Sequence, residues 1–189
     1  MDKAHIDKGL EHLLHGGVII YPTDTIWGIG CDASNADAVE KIYSIKQRDH
    51  SKSMLILADR NSFRTGNADI DRLLLESSRP TTVIMPIDLL PDGISIAPNL
   101  PADDGTIGVR LPQHHFCQEL ISRLGRPLVS TSANFSGQPS PTRYEDISEE
   151  LKAAVEYCVP NTPDTASGGT QSSKIVKIEP DGSIRVIRN

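Results

Sequence analysis

The apolar positions of this chain fall into alternating helical and extended stretches. Ile6, Leu10, Leu13 and Leu14 recur at helical spacing, and Gly16-Gly17 stops the run. Val18-Ile19-Ile20-Tyr21 then reads as a short buried strand ending at Pro22. The stretch TDTIWGIGCDAS, residues 23–34, reads as a loop. Asn35 or Ser34 is placed to cap a second helix, with Asp37 in its first turn and an apolar stripe of Val39, Ile42, Tyr43 and Ile45. Residues 54–58 predict a second buried strand, 69–77 a helix and 82–85 a strand. Residues 86–105, rich in proline and glycine, predict a long irregular loop, a kind of segment that is often functional. After it come a strand over 106–111, a helix from Pro112 to about residue 124, a strand over 127–130 and a helix over 144–156. Residues 174–178 and 183–187 predict a hairpin about Asp181-Gly182. Helices alternate with strands, so the fold class is α/β or α+β, and the terminal hairpin makes the sheet mixed rather than purely parallel. With no repeat, low-complexity tract or linker, 189 residues suit one domain over 1–189.

Charge narrows the classes of partner. Nineteen Lys and Arg against 25 Asp and Glu leave a net charge of −6. A general nucleic-acid coat or membrane-surface protein needs the opposite excess. Aromatic residues, at 4%, are too few for a base-stacking platform. A small anion held by a few focused cations stays within reach. Cys31, Cys117 and Cys158 are odd in number and far apart, which fits reduced thiols rather than a disulfide framework or a zinc site. No apolar run approaches the roughly eighteen residues of a membrane helix, and the N-terminus lacks a signal-peptide core. The expectation is a soluble, cytoplasmic protein with no membrane contact.

Four groups of residues invite chemistry. Lys46-Gln47-Arg48, with Lys52 close behind, makes a positive knot at a helix end. It suits phosphate binding, and equally suits the negative end of the helix dipole. Thr23-Asp24-Thr25, followed by Gly28 and Gly30, sits beyond a strand end, where hydroxyls and small residues suit a polar ligand; an ordinary capped loop would look the same. It matches neither a Walker A loop nor a dinucleotide fingerprint. Ser130-Thr131-Ser132-Ala133-Asn134 offers a dense set of donors and acceptors without a nucleophile elbow, and a plain polar turn is the alternative. Thr106 and Arg110 are four apart on a strand and share a face, Arg110 being placed either to snorkel or to meet a carboxylate. The six histidines show no metal-ligand spacing, so a tightly held metal is not expected, whereas Mg2+ arriving with a nucleotide needs few protein ligands.

Taken together, YPTDTIWGIGCDA, the helix ending in KQR, TIGVRLP and PLVSTSANFSG resemble the YrdC/Sua5 family of threonylcarbamoyl-AMP synthases, in the same order and from about Gly16 onward. The resemblance is to the short, single-domain bacterial form. It implies a twisted mixed sheet flanked by helices, with a concave, locally positive cavity. It also implies a nucleotidyltransferase that condenses L-threonine, bicarbonate or CO2 and ATP, carried with Mg2+, to threonylcarbamoyl-AMP and pyrophosphate. A separate tRNA-modifying transferase complex would then build N6-threonylcarbamoyladenosine in tRNA. The family's K-x-R and S-x-N pairs fall on Lys46, Arg48, Ser132 and Asn134, which the resemblance makes the catalytic set. Thr25, Arg110, Ser132 and Ser173 match threonine-site positions, with Arg110 on the carboxylate. Arg48, Lys52, Thr106, Asn134, Thr142 and Arg188 match nucleotide-site positions. The chain departs from the family pattern at Ser53, where a proline is usual, and at Leu57, where many members carry histidine. It departs also at Arg79, in place of glycine, and at Lys174, in place of threonine. The alternative reading is a same-fold paralogue with weak or different activity, acting through nucleotide binding or weak tRNA or RNA binding in ribosome maturation.

Overall fold

A computed structural model of the chain describes residues 3–51, 53–163, 165, 169 and 171–189. The order of elements is α1 (Lys3–Leu14), β1 (Ile19–Tyr21), β2 (Gly28–Gly30), α2 (Ala36–Lys46), β3 (Leu55–Leu57), α3 (Ala68–Leu75) and β4 (Thr81–Pro86). There follow β5 (Thr106–Arg110), α4 (His115–Leu124), β6 (Leu128–Ser132), α5 (Glu149–Ala153), β7 (Tyr157–Cys158), β8 (Lys174–Ile178) and β9 (Ile184–Arg188). The strands make one nine-stranded sheet in the order β7-β1-β2-β6-β3-β5-β4-β8-β9. Pairing is mixed, as the terminal hairpin predicts: β1–β7, β3–β5 and β4–β8 are parallel and the other pairs antiparallel.

Helical periodicity decides which side chains of α2 go inward. Asn35 caps the helix, its Oδ1 accepting from the Ala38 N–H at 3.0 Å, and Gln47 closes it in the left-handed region at φ 50°. The buried positions are Ala38, Val39, Ile42, Tyr43 and Lys46, a stripe at helical spacing. Lys46 is therefore carried to the buried side of the helix by the same period that buries Ile42. Elsewhere α1 packs on α4 and β1, and α3 on β4. Val18 to Tyr21, Ile29, Ile56 and Val129 lie fully inside.

Three expectations change. Gly28–Gly30 is a strand rather than loop, because its neighbours come too close for side chains: a Cβ on Gly30 would stand 1.9 Å from the Val129 carbonyl oxygen. The region 144–156 breaks into a 3-10 turn at Tyr144–Asp146, the short α5 capped by Ser148, and β7. The helix expected from Pro112 begins instead at His115, with His114 as its cap. The long segment 86–105 lies over the core: the Ala97 N–H donates to the Ala33 carbonyl at 2.7 Å, Asn99 Nδ2 to the Ala36 carbonyl at 3.0 Å, and Leu100 is fully buried.

Gly30 gives a direct stability prediction. A Gly30→Ala substitution drives a methyl into the β6 backbone, so the sheet must open locally at a cost above about 3 kcal/mol. Gly105, with nothing within 4 Å of a built Cβ, should cost only about 1 kcal/mol for its φ. Urea midpoints of the two variants check the difference, and equal midpoints would contradict it.

Candidate active site

A cavity of about 260 Å3 opens on the sheet face that carries Leu55, Ile84, Gly108 and Ser130. Its walls bring together hydroxyls of Thr23, Thr25, Ser53, Thr82, Ser132 and Ser173 and the guanidinium groups of Arg48, Arg110 and Arg188. No carboxylate lines it among the described residues. Gly108 forms part of the floor, where a Cβ would stand 3.1 Å from Leu55 and 3.2 Å from Thr82. A side chain there would crowd the strand neighbours and fill the space.

Arg110 is held from one side. Its side chain is 5% exposed, and Nη1 donates to Thr25 Oγ1 at 2.9 Å. Thr23 donates to the Ile26 carbonyl at 2.7 Å, so at the 2.9 Å contact between the two hydroxyls Thr25 is the donor. That relay fixes the orientation of Thr25 toward the guanidinium. Arg110 Nε is buried without a hydrogen-bond partner, and Leu57, its partner residue across the β3–β5 ladder, is aliphatic. On the Nε/Nη2 edge, the one that grips carboxylates in a fork, Nε is thus unbonded and Nη2 faces the Asp24 carboxylate at 3.6 Å without a hydrogen bond.

Arg188 reaches the cavity through a bulge. Val186 pairs with Val176 but Arg188 pairs with Ile175, so Ile187 is the extra residue. In an unbroken register Ile187 would oppose Ile175 on the cavity face and Arg188 would point away. Arg188 donates through Nε and Nη2 to the Ser173 carbonyl at 3.0 and 2.8 Å, and Ser173 Oγ meets Thr82 Oγ1 at 2.8 Å. Burial, with Arg110 and Arg79 nearby, draws the Arg188 pKa below its ordinary value. Deleting Ile187 should turn Arg188 out of the cavity and weaken binding of inorganic phosphate about tenfold, with the melting temperature little changed. Unaltered phosphate affinity in a titration would contradict this.

Lys46 stands behind the cavity wall. It is 1% exposed, and Nζ donates to the carbonyls of Ser132 and Asn134 at 2.5 and 2.6 Å. Burial, reinforced by Arg48, pushes its pKa down to about 7. The Lys46 carbonyl in turn accepts from the Ser136 N–H at 3.0 Å. Lysine and polar turn are therefore one clamp. Arg48 donates to the Ser53 carbonyl at 3.0 Å, and burial lowers its pKa as well.

The expected residues separate into groups. Thr25, Arg48, Arg110, Ser132, Ser173 and Arg188 line the cavity. Asn134 lines an adjoining hollow with Gln138, Ser140 and Asp146; its Nδ2 donates to the Gln138 carbonyl at 2.6 Å, and its Oδ1 is buried without a partner. Thr142 donates to Asp146 at 3.4 Å. Thr106 shares the face of Arg110, as spacing predicts, but it sits at the far end of β5 and bonds Asp104 at 2.6 Å, away from the cavity walls. Lys52 lies outside the described residues. Sequence reasoning passed over Thr82, whose signal is its alternation with Ile84 on β4. Asp24 is named within Thr23-Asp24-Thr25 but is given no role by the sequence, although its carboxylate stands 3.6 Å from Arg110.

Comparison with known proteins bears on this arrangement. A family model named for Sua5, YciO and YrdC, and described as telomere recombination, matches residues 11–189. The chain belongs to the Sua5/YciO/YrdC family. Among its relatives, a threonylcarbamoyl-AMP synthase of Stenotrophomonas maltophilia is 34% identical over 154 residues, covering 80% of this chain and 83% of that protein. A threonylcarbamoyl-AMP synthase of Pseudoalteromonas translucida is 31% identical over 180 residues, covering 92% and 93%. Among solved structures, Sua5 of P. abyssi in complex with L-threonine superposes with a TM-score of 0.72 at 22% identity, over 97% of this chain and 53% of the longer protein. At that identity the likeness speaks for the fold. Among the described residues no helix is long and apolar enough to cross a membrane, and no group of three or more His, Cys, Asp or Glu is placed to hold a metal ion.

Proposed function

We propose that this chain is an L-threonylcarbamoyladenylate synthase, acting in the cytoplasm on L-threonine, bicarbonate or CO2 and Mg·ATP. The observation that carries the reading is the convergence of Arg48, Arg110 and Arg188, from three separate segments, on one hydroxyl-lined cavity that no carboxylate lines among the described residues. Such a cavity suits a reaction that gathers a triphosphate, a carboxylate and a carbamate, groups that are all anionic and repel one another. The relatives named threonylcarbamoyl-AMP synthase, matched over most of both chains, support the same reading.

The chemistry asks for positioning and charge stabilisation rather than a protein nucleophile. The threonine amine, in its neutral form, attacks CO2 and releases one proton to solvent, giving an N-carboxylate. A carboxylate oxygen attacks the α-phosphorus of ATP, the bond to the β-phosphate oxygen breaks, and pyrophosphate leaves with that electron pair. In this reading the Nε/Nη2 fork of Arg110 holds the threonine carboxylate while Thr25 fixes the guanidinium. Arg48 and Arg188 offset phosphate charge. Lys46 sets the Ser132–Asn134 turn, which orients carbamate and nucleotide. Mg2+ enters as part of the nucleotide substrate, and the product passes to a tRNA-modifying transferase complex.

Pyrophosphate release, measured while omitting one substrate at a time, tests the reading. It should require ATP, L-threonine and bicarbonate together. ATP binding without threonine-dependent release would instead point to a nucleotide-binding paralogue.

A further inference from the structure

Two of the three cavity arginines, Arg110 and Arg188, differ in how their charge is balanced. Asp24 Oδ1 stands 3.6 Å from Arg110 Nη2, with the side chains 11% and 5% exposed. That separation is too long for a hydrogen bond, so the pair acts through charge. The other Asp24 oxygen accepts the Gln113 N–H at 2.9 Å, which anchors the carboxylate to the approach of α4. Asp24 Oδ1 and Arg110 Nε are both buried without hydrogen-bond partners. The ion pair is therefore close enough to cancel charge and too open to occupy the guanidinium fork. Arg188 is the contrast. It bonds the neutral Ser173 carbonyl, and no described carboxylate lies within 4.0 Å of it.

We propose that Asp24 is a specificity residue that sorts the two kinds of anion entering the cavity. By balancing Arg110 it reserves that fork for a ligand with a single carboxylate and a neighbouring amine, and turns polyanionic phosphate toward Arg188. This rests on the synthase reading for the identity of the ligands, although the sorting itself needs only their charges. Repulsion from Asp24 scales with ligand charge, so a phosphate dianion loses about twice what a carboxylate loses, and an adjacent ammonium recovers part of the carboxylate's loss. A purely structural Asp24, one that merely props Arg110, would act in the opposite direction: its removal would weaken every anion.

The test is calorimetric titration of the full chain with inorganic phosphate and, separately, with L-threonine. Asp24→Asn keeps the shape and the Gln113 contact while removing the charge. It should bind phosphate about tenfold more tightly or better, with phosphate now displacing L-threonine, and Asp24→Glu should restore the wild-type preference. A folded Asp24→Asn variant with unchanged or weaker phosphate affinity overturns the proposal. Arg188→Gln, which removes the charge and keeps an amide donor for the Ser173 carbonyl, should lose phosphate binding about tenfold while keeping threonine binding; equal loss of both in a folded variant also overturns it. If wild-type protein binds no L-threonine but the Asp24→Asn gain in phosphate affinity appears, the sorting stands and the synthase reading falls.

Discussion

Replacing Lys46 by methionine should reduce turnover by about a hundredfold, the scale seen when groups that position the substrate shift by about 1 Å. The stem would still fill its place on the buried face of α2, so the effect isolates the amine. Its loss leaves the Ser132 and Asn134 carbonyls without their donor, at about 1–3 kcal/mol each. Relief from burying a cation offsets part of that, so the variant should fold with a modest stability change while the turn loosens. Denaturant titration beside pyrophosphate-release kinetics separates the two effects. A folded variant with near-normal turnover would remove Lys46 from the site.

The same lysine makes a pH prediction. Its folded pKa, about 7, lies below the ordinary 10.5. In the unfolded chain the amine keeps its proton through that interval, whereas the folded chain gives it up. Stability should therefore carry the full cost of the buried charge below about pH 7 and rise as the pH climbs from 7 toward 10.5. The neutral amine can still donate to both carbonyls; the ammonium gains a third donor. An arriving phosphate should draw that proton back, so ATP binding near pH 8 should take up protons. Binding heats compared across buffers of different ionisation enthalpy measure the uptake, and its absence would contradict the assignment.

Arg110→Lys should raise the KM for L-threonine about a hundredfold, leaving the KM for ATP within a few-fold of wild type. Lysine keeps the charge beside Asp24, and with it the fold, but has no planar fork. Only the bidentate grip on a carboxylate is lost, so the change belongs in substrate binding. An alanine variant would be a poorer test, since it strands the nearly buried Asp24 carboxylate without a counterion. Equal effects on both substrates would mean that Arg110 serves the nucleotide or the fold as a whole.

Much of this architecture is legible along the chain, for definable reasons. The stripe Val39, Ile42, Tyr43 and Ile45 announces α2, but it points to Ile45 rather than Lys46 as the last inward position, whereas Ile45 is half-buried and Lys46 buried. Apolar runs announce β1, β3 and β5. Gly28-Ile29-Gly30 does not announce β2, because a strand selected for close backbone approach has no side-chain pattern to read. The broken 144–156 region hides behind helix-forming residues, with Ser148 supplying the cap only where the fold calls for it. At the site, Arg110 is visible as a charge among apolar strand neighbours. Arg188 is another matter: one extra residue at Ile187 decides its face, and a bulge depends on register with a strand elsewhere in the chain. Thr106 illustrates the converse, since sharing a face with Arg110 does not place it in the same cavity. Asp24 acquires meaning only when β5 is beside the β1–β2 loop.

The most direct test of the account is a single mass measurement. The protein is incubated with Mg·ATP, L-threonine and bicarbonate labelled with heavy carbon, and the adenylates are resolved by mass spectrometry. The account predicts threonylcarbamoyl-AMP heavier by the one labelled carbon, absent when threonine or the enzyme is left out. Binding of ATP and threonine with no labelled adenylate formed would contradict it.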